Sequence, residues 1–287
     1  MKELIPKKEK FYTVDKLNFL TAGLPLVSDG KGYKKGLAAI DELNLDGLEV
    51  EFVHGVRMTD VNQNLVSEFA KNHVVTCHGP YYINLNSKEE EKIEASVQRI
   101  IETARMGQNI GAYSITYHAA FYMGGSVQDV YNTVYKSTEK IMQVLDSEGI
   151  NIFVRPETTG KGTQWGTLEE IVKLSKEFKN VMPCIDFAHI HARNNGIYNT
   201  YDEFSKMLEF YANELGNNSL QDMHMHLAGI EYGAKGEKNH LILEESDMNY
   251  KDLLKVLKNF DVKGALVCES PNIESDTKLL KDYWLSL

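Results

Sequence analysis

A (β/α)8 barrel is the fold this sequence predicts, and three observations carry it. Eight short apolar or β-branched runs alternate with eight amphipathic segments of helical period along 287 residues. Six of those runs end, or nearly end, on a side chain that can ligate a metal: His78, His118, Glu157, Asp186, His226 and Glu269. The glycine-rich phosphate turn of an open doubly wound sheet is missing, since the glycines around 24–32 stand only at positions 23, 30 and 32.

The elements follow in chain order. The strands are read at 17–22, 47–53, 73–78, 113–118, 151–157, 181–187, 222–227 and 265–269. The helices are read at 34–44, 63–71, 88–106, 127–147, 167–178, 200–215, 250–260 and 275–283. Ser87 followed by Glu90 and Thr167 followed by Glu170 have capping-box spacing, and Ser275 or Asp276 is placed to open the last helix. No Pro, Gly or Ser tract suggests a linker, so residues 1–287 are read as a single barrel domain. Steps of 40, 39, 29, 40 and 43 residues separate the six ligand-type side chains, about one strand plus one helix each. Only closure of the sheet would bring six strand ends to one place, and the C-terminal ends of barrel strands are where catalytic groups gather.

Composition narrows the class. The chain is 43% hydrophobic and 25% charged, ordinary for a globular protein. No apolar run approaches the ~20 residues of a membrane span. Residues 1–10 are charged and lack the apolar region of a secretory signal. Three cysteines, Cys77, Cys184 and Cys268, lie within strand-like runs without paired spacing, which points to buried thiols and a reducing, cytoplasmic setting. A net charge of −10 argues against a protein that coats nucleic acid, but not against one that docks a single lesion and neutralises its own carboxylates with cations.

His and carboxylate side chains suit zinc and related ions; six of them are too many for one catalytic ion and suit two, with a Glu able to bridge. His224 shares a strand face with His226 and reads as a support for a ligand or as a core polar residue. Arg155 shares a face with Glu157, and a buried Arg needs an acid, so a pair with Glu49 or Glu51 is expected. His191 reads as a solvated loop residue, His54 and His73 as bystanders, and Tyr122 and Trp165 as loop aromatics that either pack or stack on substrate.

Six motifs in order resemble the endonuclease IV family of metal-dependent apurinic/apyrimidinic endonucleases, within the xylose-isomerase-like barrels. They are His78-Gly79-Pro80-Tyr81-Tyr82-Ile83-Asn84-Leu85, Tyr117-His118, Glu157-Thr158-Thr159-Gly160-Lys161-Gly162, Cys184-Ile185-Asp186-Phe187-Ala188-His189, His226-Leu227 and Leu266-Val267-Cys268-Glu269-Ser270-Pro271. The resemblance implies a zinc-dependent enzyme of DNA repair that hydrolyses the phosphodiester 5′ to abasic sites in double-stranded DNA, using hydroxide activated by the metals, and it is read as a monomer. It implies a first metal held by His78, His118 and Glu157, and a second by Glu157, Asp186, His226 and Glu269. A third would be held by His189 and His240. Glu157, as the bridge, is the residue assigned to catalysis; Arg57 and Tyr81 are implied as DNA contacts. The family completes the third site with an Asp where this chain has Lys238, whose ammonium cannot ligate; Glu237 or Asn239 would have to substitute from a shifted loop. The metal is expected to be zinc, with manganese or another divalent ion admitted by the same ligands. The alternative reading is a metal-dependent sugar isomerase or epimerase, for which Glu157, Asp186, His226 and Glu269 alone would suffice.

Overall fold

The computed structural model describes residues 14–30 and 32–287. The charged start, residues 1–10, read above as carrying no secretory signal, lies outside them. In chain order the strands are β1 (Leu17–Ala22), β2 (Gly47–Glu51), β3 (Val74–His78), β4 (Ser114–Tyr117), β5 (Ala120–Phe121), β6 (Phe153–Pro156), β7 (Gln164–Trp165), β8 (Cys184–Asp186), β9 (Met223–Leu227), β10 (Gly229–Gly233), β11 (Gly236–Leu241) and β12 (Gly264–Cys268). The helices are α1 (Tyr33–Glu42), α2 (Asp60–Phe69), α3 (Glu90–Asn109), α4 (Val127–Ser147), α5 (Leu168–Ser175), α6 (Phe187–Arg193), α7 (Tyr201–Leu215), α8 (Tyr250–Asn259) and α9 (Glu274–Ser286).

Eight of the strands form one parallel sheet in the order β6-β4-β3-β2-β1-β12-β9-β8. Parallel bridges Val154↔Val181 and Glu157↔Cys184 join its two ends and close the barrel. All eight predicted strands are present: β1 keeps its bounds, β12 is shifted by one residue, and the other six are shorter by one to four residues. Strand alternation gives each an apolar face toward the helices and a second face toward the barrel axis. The outward set includes Leu48, Val50, Val75, Cys77, Ile115 and Val154, packed in the core. The axial set is unusually polar: Glu49, Thr76, His78, Ser114, Thr116, Arg155, Cys184, Asp186, His224 and His226 are all buried. The register keeps them level, with Glu49 beside Thr76, Glu51 beside His78 and Asp186 beside His226.

Helix starts follow side-chain chemistry. Thr167 and Glu170 form the expected capping box on α5, and Thr200 with Glu203 forms a second on α7. The Ser87–Glu90 expectation fails: α3 begins at Glu90, and the Ser87 hydroxyl accepts from the Glu89 N–H instead. The last helix starts at Glu274, earlier than expected, because Asp276 is drawn away to accept from the Leu243 N–H at 2.7 Å. All three cysteines are free and buried, as read. Among the described residues no helix is long and apolar enough to cross a membrane.

Candidate metal centre

The C-terminal ends of the strands bring the predicted ligands together around Glu157. Its carboxylate, buried just past β6, lies 3.1 Å from His78 Nε2, 3.1 Å from His118 Nε2 and 3.0 Å from His189 Nδ1. His226 Nδ1 stands 3.6 Å from Glu157 and 3.2 Å from Glu269. Asp186 ends β8 and caps α6, accepting from the His189 N–H at 2.7 Å. That cap explains the Asp186-x-x-His189 spacing: a capping carboxylate and the residue three later share the first helical turn. Among the described residues four groups have ligand atoms within 4.8 Å of one another: His78–His118–Glu157, Glu157–Asp186–His226–Glu269 and His189–Glu237–His240 at the strand ends, and Cys184–His224–His226 deeper in the barrel.

Backbone carbonyls orient these imidazoles. Nδ1–H of His78 donates to Gly79 O at 2.7 Å, that of His189 to Thr158 O at 3.0 Å, and that of His240 to Glu269 O at 3.2 Å. This leaves Nε2 of His78 facing Glu157 and Nε2 of His189 facing Glu237. The residues fit divalent cations by a second test. Glu157 Oε1, Asp186 Oδ2 and His226 Nδ1 are buried and make no aligned hydrogen bond, although each has polar neighbours at close range. Buried polar atoms are ordinarily paired; donors that converge without bonding one another are what a cation between them requires.

The electrostatics agree. Burial alone would push the Glu157 carboxyl up, but His118 and His226 outweigh it and hold it well below the usual range. Burial works against a charge on His78, yet the hydrogen bond to Glu157 and the charge of Glu51 raise it to about 10. Asp186 is pushed up to about 6 by burial.

The third group owes its form to a β-bulge. Register in the β10–β11 hairpin runs Ile230↔His240 and Glu231↔Asn239, then jumps to Tyr232↔Glu237, leaving Lys238 as the extra residue. Three residues apart on a regular strand, Glu237 and His240 would point to opposite faces; one bulged residue restores a common face. Lys238, where the family has its Asp, instead turns to Glu231 at 2.9 Å. Glu237 takes the acidic role, with Oε2 3.7 Å from His189 Nε2. Two glycines allow the approach: a Cβ on Gly160 would lie 2.6 Å from Glu237 Oε2, and one on Gly236 (φ +92°) would lie 2.2 Å from Gly160 O. Arg193 fixes that loop from α6, donating to Thr159 Oγ1, Lys161 O and Gln164 O at 3.0, 2.7 and 2.9 Å.

Other expectations are corrected. Arg155 does not pair with Glu49 or Glu51; it donates to Asp222 O at 2.6 Å and Pro183 O at 3.1 Å, with the Asp222 carboxylate at 3.5 Å. Glu49 instead sits between two histidines, 2.9 Å from His224 Nε2 and 3.0 Å from His226 Nε2. His224 is therefore a support for His226 through Glu49, and burial lowers it to about 4, so it stays neutral. His191 is buried in α6, within bonding distance of Ile197 O and Asp247. Trp165 is fully buried and Tyr122 donates to Glu170, so both pack. His54 is exposed, and His73 stacks on Phe69 far from the ligands in the register. Tyr81 is 60% exposed with its ring edge-on to His78 at 5.8 Å, at the mouth of the site. Arg57 is exposed on the loop after β2 and forms no ion pair among the described residues. Sequence reasoning missed Glu49 and Glu51 as site residues and the role of Arg193; the only signal was two acids on one strand face.

Comparison with known proteins gives a consistent picture. The family described as xylose isomerase-like TIM barrel matches residues 37–284. An uncharacterised protein of Methanocaldococcus jannaschii is 44% identical over 264 residues, covering 92% of this chain and 95% of that one. A probable endonuclease 4 of Sulfurihydrogenibium is 24% identical over 195 residues, 62% of this chain and 69% of that one. Among solved structures, a D-tagatose 3-epimerase-like protein has a TM-score of 0.70 at 17% identity, covering 93% of this chain and 98% of that one. Endonuclease IV from Thermus thermophilus has a TM-score of 0.69 at 15% identity, covering 95% of this chain and 100% of that one. At such identities the structural likeness speaks for the fold alone.

Proposed function

Because the chain belongs to the family of xylose isomerase-like TIM barrels, we propose that it is a metal-dependent phosphodiesterase of DNA repair that cuts 5′ to abasic sites. One observation carries this reading: the three ligand groups flanking Glu157, two of which, His78–His118–Glu157 and His189–Glu237–His240, a one-metal sugar isomerase does not need. The likeness to a probable endonuclease 4 supports it. When bound, divalent ions, zinc above all for these ligands, supply Lewis-acid stabilisation of phosphoryl oxygens and a water made nucleophilic at neutral pH.

The chain's own residues do the rest. Glu157 links the first two groups, so its position sets the distance between them. His78, His189 and His240, each tied to a carbonyl, hold fixed lone pairs toward the centre and cost no reorganisation when substrate arrives. Tyr81 packs against the deoxyribose at the mouth, and Arg57 enters the DNA stack from the loop after β2. The protein acts as a cytoplasmic monomer on double-stranded DNA.

A second reading rests on the completeness of the Glu157–Asp186–His226–Glu269 group by itself, the set a ketose epimerase would use. One pair of assays separates the two: incision of a duplex carrying a single stable abasic analogue, with and without chelator, and epimerisation of free ketoses. A fully metallated protein that leaves the duplex intact and converts a ketose would overturn the endonuclease reading. His118→Ala should lower incision by about 100-fold, whereas an epimerase would tolerate it.

A further inference from the structure

The axial face of β2 carries two carboxylates, and only the lower one is accounted for. Glu49 meets Thr76 Oγ1, His224 and His226. Glu51, two residues on and therefore on the same face, is level with His78 at the rim of the site. It belongs to none of the ligand groups. Its Oε1 is shielded from solvent and has no hydrogen-bond partner. The residue as a whole keeps partial exposure.

Two neighbours bear on it. Gly23 faces the Glu51 stem without a side chain; a Cβ there would stand 3.7 Å from Glu51 Cγ. Burial, and then the charge of Glu51, push the Tyr81 phenol up to about 12. In the metal-free protein burial pushes the Glu51 carboxyl up to about 8; cations bound beside it would ionise it. An ionised carboxylate can only accept hydrogen bonds, and left without a donor it is costly.

We propose that Glu51 is a specificity residue that accepts a hydrogen bond from the hydroxyl on C1′ of an abasic sugar. This rests on the phosphodiesterase reading above. The chemistry selects the group. A phosphate would be repelled by Glu51, and a base would present no obligatory donor to it. In a DNA strand both the 3′ and 5′ oxygens are esterified and C2′ has no oxygen. The hydroxyl left where the base was lost is then the single free hydroxyl of the lesion. A site with a buried acceptor at that point tells an abasic sugar from one that still carries a base.

The test compares two duplexes, one with a freshly made natural abasic site and one with tetrahydrofuran, which lacks the C1′ hydroxyl. Wild-type protein should favour the natural site by about tenfold in kcat/KM, mainly through KM. In Glu51→Met that ratio should fall to near one; Glu51→Gln, which keeps an acceptor, should retain part of it. Zinc content and the thermal shift on adding zinc, measured on each variant, report folding and ligation independently of activity. An equal ratio in wild type and Glu51→Met overturns the proposal alone. So does loss of one zinc equivalent in Glu51→Met, which would make Glu51 a ligand. Failure of metallated wild type to cut either duplex overturns the phosphodiesterase reading and the proposal with it.

Discussion

Glu49 shows how much of this site is decided by a side chain that reaches no ligand position. Its carboxylate stands against Nε2 of both His224 and His226 and accepts from Thr76. With Nε2 directed at Glu49, His226 turns its other nitrogen, Nδ1, toward Glu157 and Glu269. A neutral His224, which accepts from Ser114, fixes the far side of the carboxylate. Burial would push Glu49 up, but the two histidines outweigh it and keep it ionised. Glu49→Gln should therefore weaken zinc binding by about 10–100-fold, as loss of outer partners of metal-bound histidines does. Competition against a chromophoric chelator measures this. An unchanged affinity with a lowered thermal midpoint would reduce Glu49 to a structural role.

At the scale of elements, the β10–β11 hairpin is where spacing and structure part. The six ligands that end strands were legible because strand alternation and barrel closure act through local sequence: a polar residue closing an apolar run is visible without any tertiary knowledge. The Asp186-x-x-His189 spacing was legible through the resemblance alone, and the structure explains it as a helix cap. Glu237 was legible only as one of two candidates beside Asn239, because its direction depends on one bulged residue, and a bulge is set by the partner strand. The short α6, the Arg155–Asp222 contact and the burial of His191 were hidden likewise, since each depends on residues distant in sequence. Deleting Lys238 removes the bulge but leaves Glu237 two residues from His240, on the same face of a regular strand. The expected result is an unchanged bound-metal count, whereas Glu237→Ala should lower it by one with the first two groups still loaded. Lys238→Ala keeps the extra residue and should keep the count. Inductively coupled plasma mass spectrometry on the purified proteins decides it, and a lower count in the deletion than in wild type would sink the bulge argument.

For the whole molecule, the site makes stability depend on pH in opposite senses with and without metal. Take the metal-free protein first. His78 is raised from an ordinary value of about 6.5 to about 10, because Glu157 and Glu51 outweigh the cost of burial. The stability this contributes is complete below about 6.5 and drains away as pH climbs toward 10. Glu51, pushed up to about 8 by burial, also holds its proton more tightly when folded than unfolded. Its contribution has the same sign and is lost between about 4.3 and 8. From pH 6.5 to 8 both slopes point down. His224, lowered by burial to about 4, adds an opposing rise as its unfolded form loses its proton near 6.5, and that rise is nearly spent by pH 8. Metal reverses the sign. Ligand imidazoles must shed their protons to bind, so the stabilisation given by zinc grows as pH rises. Thermal midpoints measured from pH 6.5 to 8 should therefore fall in chelator and fall less, or rise, in excess zinc, so that the two curves diverge with pH. Parallel curves would mean that no proton leaves these side chains when zinc arrives, and the three groups around Glu157 would then not be a metal site.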